Sequence, residues 1–179
     1  GWEPKGPAHY DEARAAVDDK GKLIAWDFQD YSQPWSASGS TPLLASLQVG
    51  IQPTNPGGSN GTKSAGEFYG VDNQLILAHQ ANWHFPEPIP LRAPGDVGRC
   101  FASESFIDEI AADLKADPVE FRLQLLGHNK RAYDCVKTAA DKSGWQKRPS
   151  PAPASSGNIA RGRGIALTDR SNTYVAIVA

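Results

Sequence analysis

The stretch Asp117-Pro118-Val119-Glu120-Phe121-Arg122 is where the fold can first be read. Asp117 suits the cap position, with a carboxylate able to accept from the amides of a first helical turn. Pro118 suits the first helical position, where no backbone donor is needed and φ is already set. Glu120 stands at capping-box spacing from Asp117, and Gly127 supplies a stop. Working outward, Phe106, Ile110 and Leu114 recur at i, i+4, i+8 with Ile107 and Ala111 beside them. That spacing predicts a helix over 99–115, with Glu104, Asp108 and Asp113 on wetter faces. On the other side, Ala132, Cys135, Val136, Ala139 and Ala140 form one apolar stripe over 130–143, closed by Gly144.

Beyond these three helices the chain turns to strand chemistry. Ile24, Trp26 and Phe28 alternate with Ala25, Asp27 and Gln29, and Asp18-Asp19-Lys20-Gly21 offers a turn, so residues 12–31 read as a β-hairpin. Residues 32–70 are rich in Ser, Gly, Pro and Asn. They read as a long loop with one apolar island, Leu43-Leu44-Ala45-Ser46-Leu47, expected to form a short helix. Residues 74–82 read as a strand with Leu75, Leu77 and His79 on one side. Residues 146–162, with Pro149, Pro151 and Pro153, read as a linker-like crossing. Strands are expected at 164–168 and 173–179. Strands, then helices, then strands make the fold class α+β rather than doubly wound, with residues 1–179 as one partial domain.

The composition narrows the function classes. With 179 residues, 40% hydrophobic and 21% charged, the chain is globular in type. A net charge of -2 argues against a nucleic-acid or anionic-membrane partner. The basic residues Lys142, Lys147, Arg148, Arg161 and Arg163 lie near Asp134 and Asp141, and read as solvated surface. No apolar run approaches the ~20 residues of a membrane span. Cys100 and Cys135 lack metal-ligand spacing and read as structural thiols. Methionine is absent, and the β-branched run Thr173-Tyr174-Val175-Ala176-Ile177-Val178-Ala179 continues to the last residue. These features lead us to expect an interior piece of a longer polypeptide. The exposed edge of its last strand would be open to self-association.

Most motif matches fail on spacing. Gly57-Gly58-Ser59-Asn60-Gly61-Thr62-Lys63-Ser64 has three residues between Gly57 and Gly61 and Thr62 before Lys63, which is not a phosphate-binding loop. Asn60-Gly61-Thr62 is a formal glycosylation sequon, meaningful only in a eukaryotic secretory context. His79 and His84 lack the glutamate of a zinc-protease helix, and no Gly-x-Ser-x-Gly elbow is present. We therefore assign no catalytic residue and no metal ligand. One segment is distinctive: Trp83-His84-Phe85-Pro86-Glu87-Pro88-Ile89-Pro90 stiffens the approach to Leu91-Arg92-Ala93-Pro94-Gly95, just ahead of a helix. A stiff loop there can present backbone N–H groups to an anionic or polar ligand. The plainer alternative is an ordinary lead-in to the helix, with Arg92 in a salt bridge.

Taken in order, Leu91-Arg92-Ala93-Pro94-Gly95, then Phe101-Ala102-Ser103-Glu104-Ser105-Phe106-Ile107-Asp108-Glu109-Ile110-Ala111, then Asp117-Pro118-Val119-Glu120-Phe121-Arg122 resemble the molybdenum-binding subunit of the aldehyde oxidase and xanthine dehydrogenase family. Arg131-Ala132, Ser143-Gly144-Trp145 and Gly162-Arg163-Gly164-Ile165-Ala166 continue the order. Upstream, Gly1-Trp2-Glu3-Pro4 and Gly21-Lys22-Leu23-Ile24-Ala25-Trp26-Asp27 also fit. More narrowly, the chain is similar to the bacterial branch of isoquinoline 1-oxidoreductase, nicotinate dehydrogenase and aldehyde dehydrogenase large subunits.

The resemblance implies a molybdopterin-binding domain and, in the parent protein, a molybdenum–pterin cofactor. That cofactor hydroxylates an aldehyde or an electron-poor N-heterocycle with oxygen from water. Electrons leave to 2Fe-2S clusters on a small iron–sulfur subunit. It also implies that Arg92, Ala93, Pro94 and Gly95 approach the cofactor and substrate, largely through backbone. Pro94 stands where the xanthine-oxidising branch has an aromatic residue, which argues against a purine substrate. The family's glycine-rich cofactor loops and its catalytic Gly-Glu lie outside this chain. Ser64-Ala65-Gly66-Glu67 mimics the latter too early in the order, so Glu67 is a decoy. The chain alone is thus expected to bind no cofactor tightly and to be inactive, in a cytoplasmic or periplasmic bacterial protein. The alternative is a non-catalytic interaction module on the same fold.

Overall fold

The structure is a computed structural model that describes residues 6–33, 49–50, 61–81, 91–148, 158–159 and 161–179. The apolar island at 43–47, the Pro-rich stretch 83–90 and most of the 146–162 crossing lie outside those residues, as do Gly57 to Asn60 of the rejected phosphate loop.

The hairpin predicted from alternation is present. β1 (His9–Val17) and β2 (Leu23–Ser32) pair antiparallel around the Asp18–Gly21 turn, with Ala13 opposite Phe28. Asp18 closes the turn by accepting from the amides of Lys20 (2.9 Å) and Lys22 (2.8 Å), and Gly21 takes φ 78°. β3 (Asn73–Gln80) then joins the other edge of β2 in parallel, a pairing that no local signal in the sequence announces. Ile76 packs on the core, while Leu75 and Leu77 face outward. His79 lies on that outer face as well. It stacks on Tyr31 at 4.5 Å and bonds Gln29 at 2.7 Å, an ordinary structural role.

Three helices follow in the expected order. α1 spans Asp96–Asp113, starting three residues earlier than the periodicity predicted. α2 spans Pro118–Leu125 and α3 spans Lys130–Ser143. Asp117 caps α2 by accepting from the amides of Val119 and Glu120, both at 2.9 Å. The reciprocal half of the capping box is not made. Glu120 instead faces Lys147 at 3.5 Å. Gly144 ends α3 in the left-handed region at φ 65°.

β4 (Ile165–Arg170) and β5 (Thr173–Val178) form a second hairpin. Ser171 and Asn172, both at positive φ, make its two-residue turn in the sense that matches strand twist. The two thiols hold this hairpin to the helices, Cys100 donating to the Leu167 carbonyl and Cys135 to that of Tyr174.

Trp26 and Phe28 from β2, Ile107, Ile110 and Ala111 from α1, Phe121 and Leu125 from α2, Val136 from α3 and Leu167 from β4 share one core. Glu104 departs from expectation. Predicted on a wetter face, it is 4% exposed. The reason is complete pairing: Glu104 accepts from Tyr69 Oη (2.8 Å), the Leu167 amide (2.8 Å) and Arg122 Nε (3.0 Å). A buried carboxylate satisfied this way ties α1 to α2 and β4 at once. The mixed strands and three helices agree with the α+β class.

Candidate functional site

The inward face of β2 changes character along its length. Trp26 and Phe28 fill the core, but the next two residues in phase are Asp30 and Ser32, both buried. A buried carboxylate needs partners. Asp30 Oδ1 lies 2.8 Å from His9 Nδ1 at the start of β1. Its Oδ2 accepts from Ser32 Oγ at 2.9 Å and from Arg99 Nη1 at 3.0 Å. Arg99, in the first turn of α1, also donates through Nε to the Lys63 carbonyl at 2.7 Å and lies 3.5 Å from Asp96.

Two glycines of the Gly95-Asp96-Val97-Gly98 run make this closeness possible. A β-carbon on Gly95 would meet the Arg99 guanidinium at 2.5 Å, and one on Gly98 would meet the His9 ring at 2.8 Å.

The charges support one another. Burial works against the His9 cation, but the hydrogen bond and charge of Asp30, with the Pro94 carbonyl, raise its pKa above the ordinary value. Burial likewise opposes the Asp30 anion, and His9, Ser32 and Arg99 overcome it and lower its pKa. Asp11 sits opposite Asp30 in the strand register with its Oδ1 buried and unpartnered. Burial, then the Asp30 charge, pushes its carboxyl up to about 6. His9, Asp11 and Asp30 bring ligand-type atoms within 4.8 Å of one another. Both oxygens of Asp30 are already engaged, Oδ1 by the His9 ring and Oδ2 by Ser32 and Arg99, so the group is an ion-pair cluster.

The cluster supports the loop that the sequence singled out. His9 Nε2 reaches the Pro94 carbonyl at 3.4 Å. Arg92 is exposed and has no ion-pair partner among the described residues, so the salt-bridge alternative is not what the structure shows. Ala93 takes φ 59°, a left-handed conformation costly to a residue with a β-carbon. Gly95 is buried at the cap position of α1 and offers no side-chain cap. Among the described residues, the amides of Arg92, Ala93 and Gly95 find no acceptor.

Three cavities border the loop, of about 460, 440 and 380 Å³, and Pro94 lines all three. The first also takes Lys63, Arg99 and the Ser171–Asn172 turn, and the second takes Arg92, Thr168 and Arg170. Arg170 pairs with Asp96 across this region. The four loop residues are therefore adjacent to open space on more than one side. The surrounding donors, free amides and an unpaired guanidinium, suit a bulky ligand bearing polar or anionic groups.

Sequence reasoning missed His9, Asp30 and Arg99. The available signal was the placement of Asp30 and Ser32 in phase with Trp26 and Phe28, since a polar residue at a core position must be paired. Glu67 behaves as a local structural residue. Its two oxygens accept from the amides of Ser64 (3.1 Å) and Ala65 (2.9 Å), closing its own turn.

No family model matches the chain. Along most of its length it is similar to one of the subunits of nicotinate dehydrogenase from Pseudomonas putida, at 32% identity over 173 residues, covering 92% of this chain and 14% of that protein. The molybdenum-binding subunit PaoC of an Escherichia coli aldehyde oxidoreductase matches at 28% identity over 178 residues, covering 93% of the chain and 22% of PaoC. The beta subunit of isoquinoline 1-oxidoreductase from Brevundimonas diminuta matches at 44% identity over 78 residues, covering 44% of the chain and 9% of that protein. The chain thus spans less than a quarter of the length of each of these curated relatives. Together these relatives lead to one conclusion: the chain belongs to the molybdenum hydroxylase family.

Proposed function

We propose that this chain forms part of the molybdenum-binding subunit of an oxidoreductase that hydroxylates an aldehyde or an electron-poor N-heterocycle. Within it, Arg92, Ala93, Pro94 and Gly95 contact the cofactor and the edge of the substrate pocket. The observation that carries the reading is the loop itself. Its Arg92, Ala93 and Gly95 amides are unpaired among the described residues, Ala93 is held in a costly conformation, and all three adjoining cavities are lined by Pro94. Backbone strain retained in a loop beside open space is a mark of a functional segment.

The fit to a pterin cofactor is chemical. The Arg92, Ala93 and Gly95 amides and the Arg92 guanidinium would hold its polar and anionic groups. When bound, that cofactor supplies the oxygen-transfer and redox chemistry. The protein's part is to orient the substrate and shape its surroundings. Pro94 presents a compact ring with no donor, which favours a small aldehyde or a heterocycle without a stacking partner on that side. Arg92, which has no ion-pair partner among the described residues, places a positive charge at the rim, favourable to an anionic or electron-rich substituent.

We also propose that the chain is catalytically incomplete alone, since it spans less than a quarter of the length of each of its curated relatives. A small iron–sulfur subunit would take the electrons onward, as the family implies.

The test is an isotope experiment on the polypeptide as its own cell makes it, purified with its partners. Aldehydes and N-heterocycles are turned over with a dye acceptor in 18O-labelled water. We expect a hydroxylated or carboxylic product carrying the label from water. Turnover of none of these substrates, in a protein loaded with its native cofactors, would leave a non-catalytic module as the better reading.

A further inference from the structure

His9 has acceptors on both of its ring nitrogens. Nδ1 faces Asp30 Oδ1 at 2.8 Å, and Nε2 faces the Pro94 carbonyl at 3.4 Å. A carbonyl oxygen can only accept, and Asp30, bonded also to the Arg99 guanidinium and the Ser32 hydroxyl, is an ionised carboxylate that can only accept. A ring bonded to two acceptors needs a proton on each nitrogen. The charges that face it are Asp11 from β1, Asp30 from β2, and Asp96 and Arg99 from α1. Arg99 is already neutralised by Asp30 and Asp96. Little of the ring is open to solvent: its side chain is 9% exposed, and it lies directly against Gly98.

We propose that His9, held as an imidazolium, is a positioning residue that clasps the Pro94 carbonyl and so keeps the amides of Arg92, Ala93 and Gly95 free for the cofactor. This rests on the function proposed above. The clasp grips the loop from its carbonyl side, which explains how a strained, uncapped segment stays in one conformation without using its own donors. Loss of one proton would leave Nδ1–H with the ionised Asp30, the stronger acceptor. Nε2 would then set a lone pair against the Pro94 carbonyl and release the loop. His9 thereby makes the geometry of the loop dependent on pH by acting on the Pro94 carbonyl, although its ring also borders the smallest of the three cavities.

Deuterium exchange on the full-length holoprotein, read by mass spectrometry, tests this at two places. Exchange at the histidine C2–H against pH gives the His9 midpoint, and amide exchange reports the peptide over 91–98. We expect a midpoint above the ordinary ~6.5. We also expect amide exchange at 91–98, corrected for its intrinsic pH dependence, to rise roughly tenfold as pH passes that midpoint. His9→Phe should show the raised exchange at every pH, and Asp30→Asn should bring the His9 midpoint down. The wild-type series needs no variant. A midpoint at or below 6.5, or loop exchange indifferent to the His9 titration, would overturn the proposal. Molybdenum is assayed on the same sample. Metal present with an indifferent loop refutes the clasp, whereas a working clasp in a metal-free protein refutes the functional reading on which its purpose rests.

Discussion

Gly98 stands so close to His9 that a β-carbon on it would lie 2.8 Å from the imidazole Cγ. The glycine is there for room, and its place in the first turn of α1 lets the half-buried His9 lie against the helix. Gly98→Ala must push β1 and α1 apart or turn the ring out of the ion-pair cluster. We expect a loss of about 1–3 kcal/mol, the usual cost of overpacking. Gly162, whose added β-carbon would meet nothing within 4 Å, is the control, and Gly162→Ala should change stability by under ~1 kcal/mol. Urea unfolding of both variants against the parent chain measures the difference.

Arg122 is fully buried and binds Glu104 through Nε at 3.0 Å, Asp108 through Nη1 at 2.6 Å, and the Pro118 carbonyl at 3.1 Å. Removing one side of a buried pair leaves the other charge uncompensated. Arg122→Met is expected to cost about 3–5 kcal/mol. Adding Glu104→Gln to that variant should recover part of the loss, because the residue left behind is then neutral. A double-mutant cycle by urea unfolding reads the coupling. Additive losses would mean that the pair does not act as a unit.

Asp117 does more than cap α2. One oxygen accepts from the Val119 and Glu120 amides, and the other accepts from the Trp145 indole N–H at 3.0 Å and the Arg148 amide at 2.9 Å. Asp117→Ala should therefore cost more than the ~1 kcal/mol of a lost cap. Indole fluorescence should also change, since Trp145 loses its anchor. Burial opposes the Asp117 charge, but the Arg148, Trp145, Glu120 and Val119 donors lower its pKa below the ordinary 3.8. Its contribution is then present above that value and fades as pH falls through the folded pKa.

Asp11 has the opposite sign. Its carboxyl titrates near 6 in the folded chain against an ordinary 3.8, so between those values the folded state holds more protons. The stability it confers is greatest below 3.8 and falls as pH rises toward 6. Asp11→Asn should stabilise the chain at pH 7, and the gain should shrink as pH is lowered through that window. Thermal unfolding of the two proteins across pH 4 to 7.5 makes the comparison.

Local chemistry was legible in the sequence, and long-range polar pairing was not. The Asp117 cap, the Pro118 start, the Gly144 stop and the alternation through Trp26 and Phe28 are decided within a few residues, and the elements appear where those signals put them. The parallel pairing of β3 on β2 depends on a connection some forty residues long and has no local signature. Glu104 was misplaced because its partner Arg122 lies 18 residues away, in the next helix. The His9–Asp30–Arg99 cluster spans three elements, with Asp30 and Arg99 separated by 69 residues. The loop residues Arg92 to Gly95 were recognisable by resemblance. What supports them from behind became visible only once β1, β2 and α1 were brought together.

Membership of a molybdenum-binding subunit is decided by the molybdenum content of the polypeptide as its own cell makes it, read by mass spectrometry of the purified protein. We expect about one molybdenum per chain, with iron co-purifying if a small iron–sulfur subunit takes the electrons onward as proposed. A protein purified in its folded, native form with neither molybdenum nor pterin would contradict it.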